Sequence, residues 1–91
     1  IPFCVYRALF ALIRSNRGRA AELGCPVCAF LSARDAVVDT PAALRWLDGC
    51  RGAKRVRVLD GVGHVLPLEA CWRELADELA DFVRTAPPAR R

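Results

Sequence analysis

The chain contains one histidine, His64, set between Leu59-Asp60-Gly61-Val62-Gly63 and Val65-Leu66-Pro67. An imidazole can take up or release a proton near neutrality, so its natural work is general acid–base chemistry. That work needs a partner to fix the ring and a reacting group to exchange the proton. A histidine on a Gly-rich loop is also what an ordinary surface loop contains, so the partner decides between the two readings. Three carboxylates compete for that place: Asp35, Asp39 and Asp60. Asp39 precedes Thr40-Pro41 and can serve a helix start. Asp60 lies at the end of an alternating run, where turn formation accounts for it. Asp35 follows an apolar run within a few residues, as His64 does.

Those runs are the elements that must position the pair. Phe3 to Ile13 is apolar but for Arg7 and favours helix, with Ser15-Asn16-Arg17-Gly18-Arg19 ending it. A helix apolar almost all round implies burial on several sides. Ala20 to Gly24 is a short connection with helical character. Pro26 to Leu31 reads as a strand buried on both faces, the form a parallel sheet requires. Thr40 as N-cap and Pro41 at the first position open a second helix, which ends near Asp48 at Gly49. Lys54 to Leu59 alternates and reads as a second strand. From Leu68 a stripe of Leu68, Trp72, Leu75, Leu79, Phe82 and Val83 predicts a third helix, with Glu74, Asp77, Glu78 and Asp81 on its solvated side. Trp46 and Trp72 are expected to pack on the sheet, and residues 85–91 to form a disordered tail.

The order is therefore α-β-α-β-α, an α/β chain whose two strands are joined by a crossover and so run parallel. Sites in open α/β sheets form beyond the C-terminal ends of the strands. Asp35 and His64 then emerge at one edge although 29 positions apart. A carboxylate on one ring nitrogen fixes the tautomer and stabilises the imidazolium, which makes His64 an oriented general base.

Pro26-Val27-Cys28-Ala29-Phe30-Leu31-Ser32-Ala33-Arg34-Asp35-Ala36-Val37-Val38 resembles the acid-bearing segment of α/β-hydrolases. Leu59-Asp60-Gly61-Val62-Gly63-His64-Val65-Leu66-Pro67-Leu68-Glu69 resembles their histidine loop. The likeness covers about residues 23–84 and is nearest to the carboxylesterase and monoacylglycerol-lipase (serine aminopeptidase S33-like) branch. It implies that residues 21–84 are the C-terminal part of a hydrolase sheet, that residues 1–20 leave a lid connection, and that Asp35 and His64 are the triad acid and base of a hydrolase of carboxylic esters. The Gly-x-Ser-x-Gly elbow that carries the family's nucleophile does not occur here, nor does an oxyanion segment. No esterase turnover is therefore expected from these 91 residues alone. The rival expectation is a non-catalytic remnant or interaction module that keeps the fold.

Composition narrows the remaining classes. The chain bears thirteen Arg, one Lys and a formal net charge of +4, but the arginines are scattered and form no stripe with aromatics, so no nucleic-acid partner is expected. No apolar run approaches the ~18 residues of a membrane span. Five cysteines, Cys4, Cys25, Cys28, Cys50 and Cys71, are an odd number at mostly apolar positions, which suits reduced, buried thiols in the cytoplasm. Cys25-Pro26-Val27-Cys28 matches C-x-x-C but enters a strand, where its ends stand about 10 Å apart on opposite faces. Neither redox work nor a zinc site is expected from it, and no cofactor is implied. The chain opens on Ile1-Pro2-Phe3, which reads as a truncation or processing point, and residues 3–13 are expected to seek upstream structure or another subunit.

Overall fold

The computed structural model describes residues 2–88. It is a mixed α/β chain with three α-helices and a two-stranded parallel sheet. Helix α1 spans Phe3–Asn16, and one 3-10 turn spans Ala20–Glu22. Strand β1 is Val27–Ser32, helix α2 Thr40–Asp48 and strand β2 Lys54–Leu59. A second 3-10 turn, Leu66–Leu68, leads to helix α3, Trp72–Thr85.

The two strands pair in register from Val27 opposite Lys54 to Ser32 opposite Leu59. Successive strand side chains point to opposite faces. Lys54 reaches α2, where its Nζ donates to the carbonyls of Leu47, Asp48 and Cys50, satisfying the free end of the helix. Arg55 and Arg57 reach α3, where they pair with Asp81 and Glu78 at 3.2 and 2.5 Å. Helices α2 and α3 thus lie toward opposite faces of the sheet, as the alternation of β2 dictates.

Several expectations need correction. The N-cap of α2 is Asp39, whose Oδ1 accepts from Ala42 N at 3.0 Å, and Thr40 is the first helical residue. The Thr40 hydroxyl is drawn instead to the Ser32 carbonyl at 2.6 Å. Of the acids expected on the solvated side of α3, Glu78 is instead drawn against β2, and Asp81, though half exposed, also reaches it, because β2 presents arginines there. The third helix starts at Trp72 rather than Leu68. Glu69 is extended, at φ −82° and ψ 159°, which breaks the helical path and leaves Leu68 exposed. Trp46 bonds the end of α1 rather than packing only on the sheet, its Nε1 donating to Asn16 O at 3.2 Å. Thr85 closes α3 instead of opening a tail, residues 86–88 have no regular structure, and the rest of the expected tail, 89–91, lies outside the described residues.

Burial is shallower than the apolar sequence predicts. Among the described residues the buried apolar side chains are Ala20, Cys50 and Leu75. Strand β1 is half-buried up to Ser32, not buried on both faces, because a single strand neighbour and two short helices cannot cover it. Val56 and Val58 stand open on the α2 face. Helix α1 buries none of its residues among the described part of the chain. No helix among the described residues is long and apolar enough to cross a membrane. Of the cysteines, Cys50 is buried, Cys28 and Cys71 are half-buried, and Cys4 and Cys25 are exposed, so the expectation of general thiol burial does not hold; all five are free.

Candidate active site

Parallel pairing sends the loops after β1 and β2 out at the same end of the sheet. The loop after β1 is short. It turns at Asp35, whose Oδ1 accepts from the backbone N–H of Val37 at 2.7 Å and of Val38 at 3.0 Å. Such an Asx turn is the local bonding that short acidic side chains favour. The loop after β2 reverses at Gly61, whose φ of +73° lies in the left-handed region that side chains disfavour.

These two turns bring the selected residues together. His64 Nδ1 lies 2.8 Å from Asp35 Oδ2 and 3.1 Å from Oδ1. The Asp35 side chain is 5% exposed and the His64 side chain 43%. The carboxylate is therefore held inside while the ring keeps a face in solvent. With Nδ1 occupied by a carboxylate, the acceptor-only Asp35 requires Nδ1 to be the protonated nitrogen of a neutral ring. Nε2 is then the free base, and it has no hydrogen-bond partner among the described residues. The rivals stand elsewhere: Asp39 caps α2, and Asp60 is exposed at the strand end.

The carboxyl of Asp35 is held below its ordinary range, first by the hydrogen bond from His64 and then by those from Val37 and Val38, with desolvation opposing them. The sign of the resulting pH effect follows from linkage. The unfolded chain binds the proton at a higher pH than the folded one, so stability rises with pH across that window. The contribution is complete above about pH 4–5 and is lost as pH falls from the ordinary aspartate value of ~3.9 through the lowered native one. The gap in urea midpoint between the chain and Asp35→Asn is expected to shrink between about pH 5 and pH 3. A gap that widens on acidification contradicts the assigned direction.

Three further residues bear on the loop, none of which sequence reasoning assigns a role in the site. Ser32, 2% exposed, donates its hydroxyl to the carbonyl of Gly63 at 2.5 Å. Glu69 Oε1 accepts from the N–H of Gly63 at 2.6 Å. Thr40, 4% exposed, holds the Ser32 carbonyl. The available signals were a serine closing an apolar strand and an acid five residues after the Gly-His pair.

Chemically, the arrangement is an imidazole oriented by a carboxylate, with no reacting group bonded to its free nitrogen among the described residues. The serines of the chain are Ser15, on exposed α1, and Ser32, whose hydroxyl is committed to Gly63. Cys25 and Cys28 stand at the opposite, N-terminal end of β1. Among the described residues no three His, Cys, Asp or Glu side chains gather as a metal site. Compared with protein-family models, with curated proteins and with solved structures, the chain finds no match in any of the three.

Proposed function

We propose that residues 23–84 are the acid-and-base corner of a serine hydrolase of carboxylic esters with an α/β-hydrolase sheet, of the carboxylesterase and monoacylglycerol-lipase kind. The observation that carries this reading is the contact of Asp35 Oδ2 with His64 Nδ1 at 2.8 Å beyond the ends of two adjacent parallel strands. In this reading a serine on a Gly-x-Ser-x-Gly elbow, contributed by polypeptide outside these 91 residues, places its hydroxyl against His64 Nε2. Nε2 takes the proton as Oγ bonds to the ester carbonyl carbon, and returns it to the departing alkoxide as the ester bond breaks. Asp35 stays ionised and stabilises the imidazolium in between. The same upstream polypeptide, or another subunit, covers the apolar residues 3–13, and the compartment is the cytoplasm.

A second reading, a non-catalytic interaction module, is favoured by one fact: neither serine of the chain bonds His64, Ser32 being committed to the Gly63 carbonyl and Ser15 lying exposed on α1. A fluorophosphonate probe separates the two. The 91-residue chain stays unlabelled, whereas the polypeptide that joins it to an elbow serine is labelled and hydrolyses p-nitrophenyl esters. His64→Ala in that polypeptide lowers kcat by about 10⁴ or more. Labelling of the 91-residue chain itself defeats the claim that the nucleophile lies elsewhere. Near-normal turnover by His64→Ala removes His64 as the base.

A further inference from the structure

We infer that Ser32 and Glu69 are positioning residues that clamp the two peptide groups flanking Gly63 and thereby set the His64 ring against Asp35. The inference rests on the reading of His64 as the base and adds the device that aims it.

A glycine immediately before a functional ring is a weak point, because glycine visits more of φ/ψ space than any other residue. The structure removes that freedom from both sides. The N–H of Gly63 belongs to the peptide shared with Val62, and Glu69 Oε1 holds it at 2.6 Å. The carbonyl of Gly63 belongs to the peptide shared with His64, and the Ser32 hydroxyl holds it at 2.5 Å. With both planes fixed, φ and ψ of Gly63 are fixed, and so is the direction in which the chain enters His64.

The two halves of the clamp come from different places. Ser32 is the last residue of β1, paired with Leu59, and its own carbonyl is tied to the Thr40 hydroxyl at the start of α2. The strand ladder continues past it, with Ala33 N donating to Leu59 O at 2.8 Å. Ser32 therefore transmits the position of the acid-bearing loop, three residues before Asp35, to the base-bearing loop. Glu69 reaches back from beyond the Leu66–Leu68 turn, and the extended backbone there makes the reach possible. Its hydrogen bond is charge-assisted, stronger than a neutral one. Solvation alone would serve a loop glutamate equally well; holding Gly63 gives the carboxylate and the broken helix a common purpose.

The test reads the ring of His64 in the ¹⁵N-labelled 91-residue chain at about pH 9, where imidazoles are neutral. In the unaltered chain the two ring nitrogens resonate far apart, as one fixed Nδ1–H tautomer. Glu69→Ala brings them toward the average of mixed tautomers, and Glu69→Gln, which keeps an acceptor for Gly63, restores the separation. Lys54→Ala removes three hydrogen bonds at the other end of β2; it lowers the melting temperature and leaves both ring shifts in place, which a merely structural role for Glu69 would also have done. If Glu69→Ala does not fold, Glu69→Asp, one methylene shorter, takes its place with the same two outcomes. Ring shifts unmoved in the folded variant overturn the clamp. In the serine-bearing polypeptide Glu69→Ala lowers kcat about 100-fold with KM held, the scale of a small misplacement of a reacting group. Absence of any turnover there counts against the hydrolase reading alone, because the ring shifts still decide the clamp.

Discussion

Asp35→Asn leaves the chain folded and costs the proposed hydrolase about 10⁴ in kcat, the scale seen when a triad histidine is held in the wrong tautomer. The geometry dictates which way the new amide faces. Val37 and Val38 both donate to Oδ1, at 2.7 and 3.0 Å, so the carbonyl oxygen of the asparagine takes that place. Its NH₂ is then left where Oδ2 stood, 2.8 Å from His64 Nδ1. Two donors cannot face each other, so the ring gives up its Nδ1 proton and carries it on Nε2. The nitrogen that should accept the serine proton is already protonated. The loss therefore falls on kcat, with KM nearly unchanged, since the substitution alters the ring's tautomer and not substrate binding. In the 91-residue chain the same event is visible without any turnover, as an exchange of the two ring ¹⁵N positions. Retention of the Nδ1–H tautomer in Asp35→Asn would show that the backbone donors do not control the amide, and the kinetic expectation would fall with it.

What the sequence disclosed about this site divides along physical lines. The strand order, the parallel pairing and the approach of Asp35 to His64 were legible because they rest on periodicity, on crossover geometry and on the rule that loops leave a parallel sheet at one edge. The clamp was not legible, because it depends on where side chains of Ser32, Thr40 and Glu69 end up once three loops have packed. Thr40 shows the difference. As a residue before proline it reads as an N-cap, but a buried carbonyl at Ser32 competes for its hydroxyl and wins, leaving Asp39 to cap. Glu78 and Asp81 show it again. An acid off the apolar stripe of a helix reads as solvated, yet the facing strand carries Arg55 and Arg57, so Glu78 is drawn into the interface and half-exposed Asp81 pairs at its rim. Burial was overestimated for a related reason: apolar patterning states which surfaces want cover, not whether these residues have enough structure to supply it. Val56, Val58 and the whole of α1 remain uncovered among the described residues.

The other large effect lies at the far end of the sheet. Gly52 is buried, and a Cβ placed there would stand 2.0 Å from the Cys25 carbonyl oxygen, 2.6 Å from its carbon and 2.9 Å from the Gly24 oxygen. All three are backbone atoms, so no side chain can swing aside. The surrounding bonds show why the approach is close. Arg51 N donates to Leu23 O at 3.2 Å, Val27 N donates to Ala53 O at 2.8 Å, and the Arg51 guanidinium holds Ala21 O. The segments entering β1 and β2 are laced together there, and Gly52 is the gap that lets them meet. Gly52→Ala is expected to lose about 3 kcal/mol or more, the upper range of overpacking. A chain of this length commands roughly 5–14 kcal/mol in all. Gly18→Ala, with nothing within 4 Å of the added carbon, makes the same chemical change without that loss. Urea melts of the two variants decide the matter, and equal midpoints would refute the close approach. The consequence for the site is geometric. Relief of the clash by a one-residue slip of β1 against β2 displaces one strand by about 3.3 Å along the other. Asp35 follows Ser32 by three residues and His64 follows Leu59 by five, so such a slip carries the carboxylate away from a ring it now touches at 2.8 Å. In folded Gly52→Ala molecules that have slipped, the fixed tautomer of His64 is lost, although the substitution sits at the opposite end of the strands.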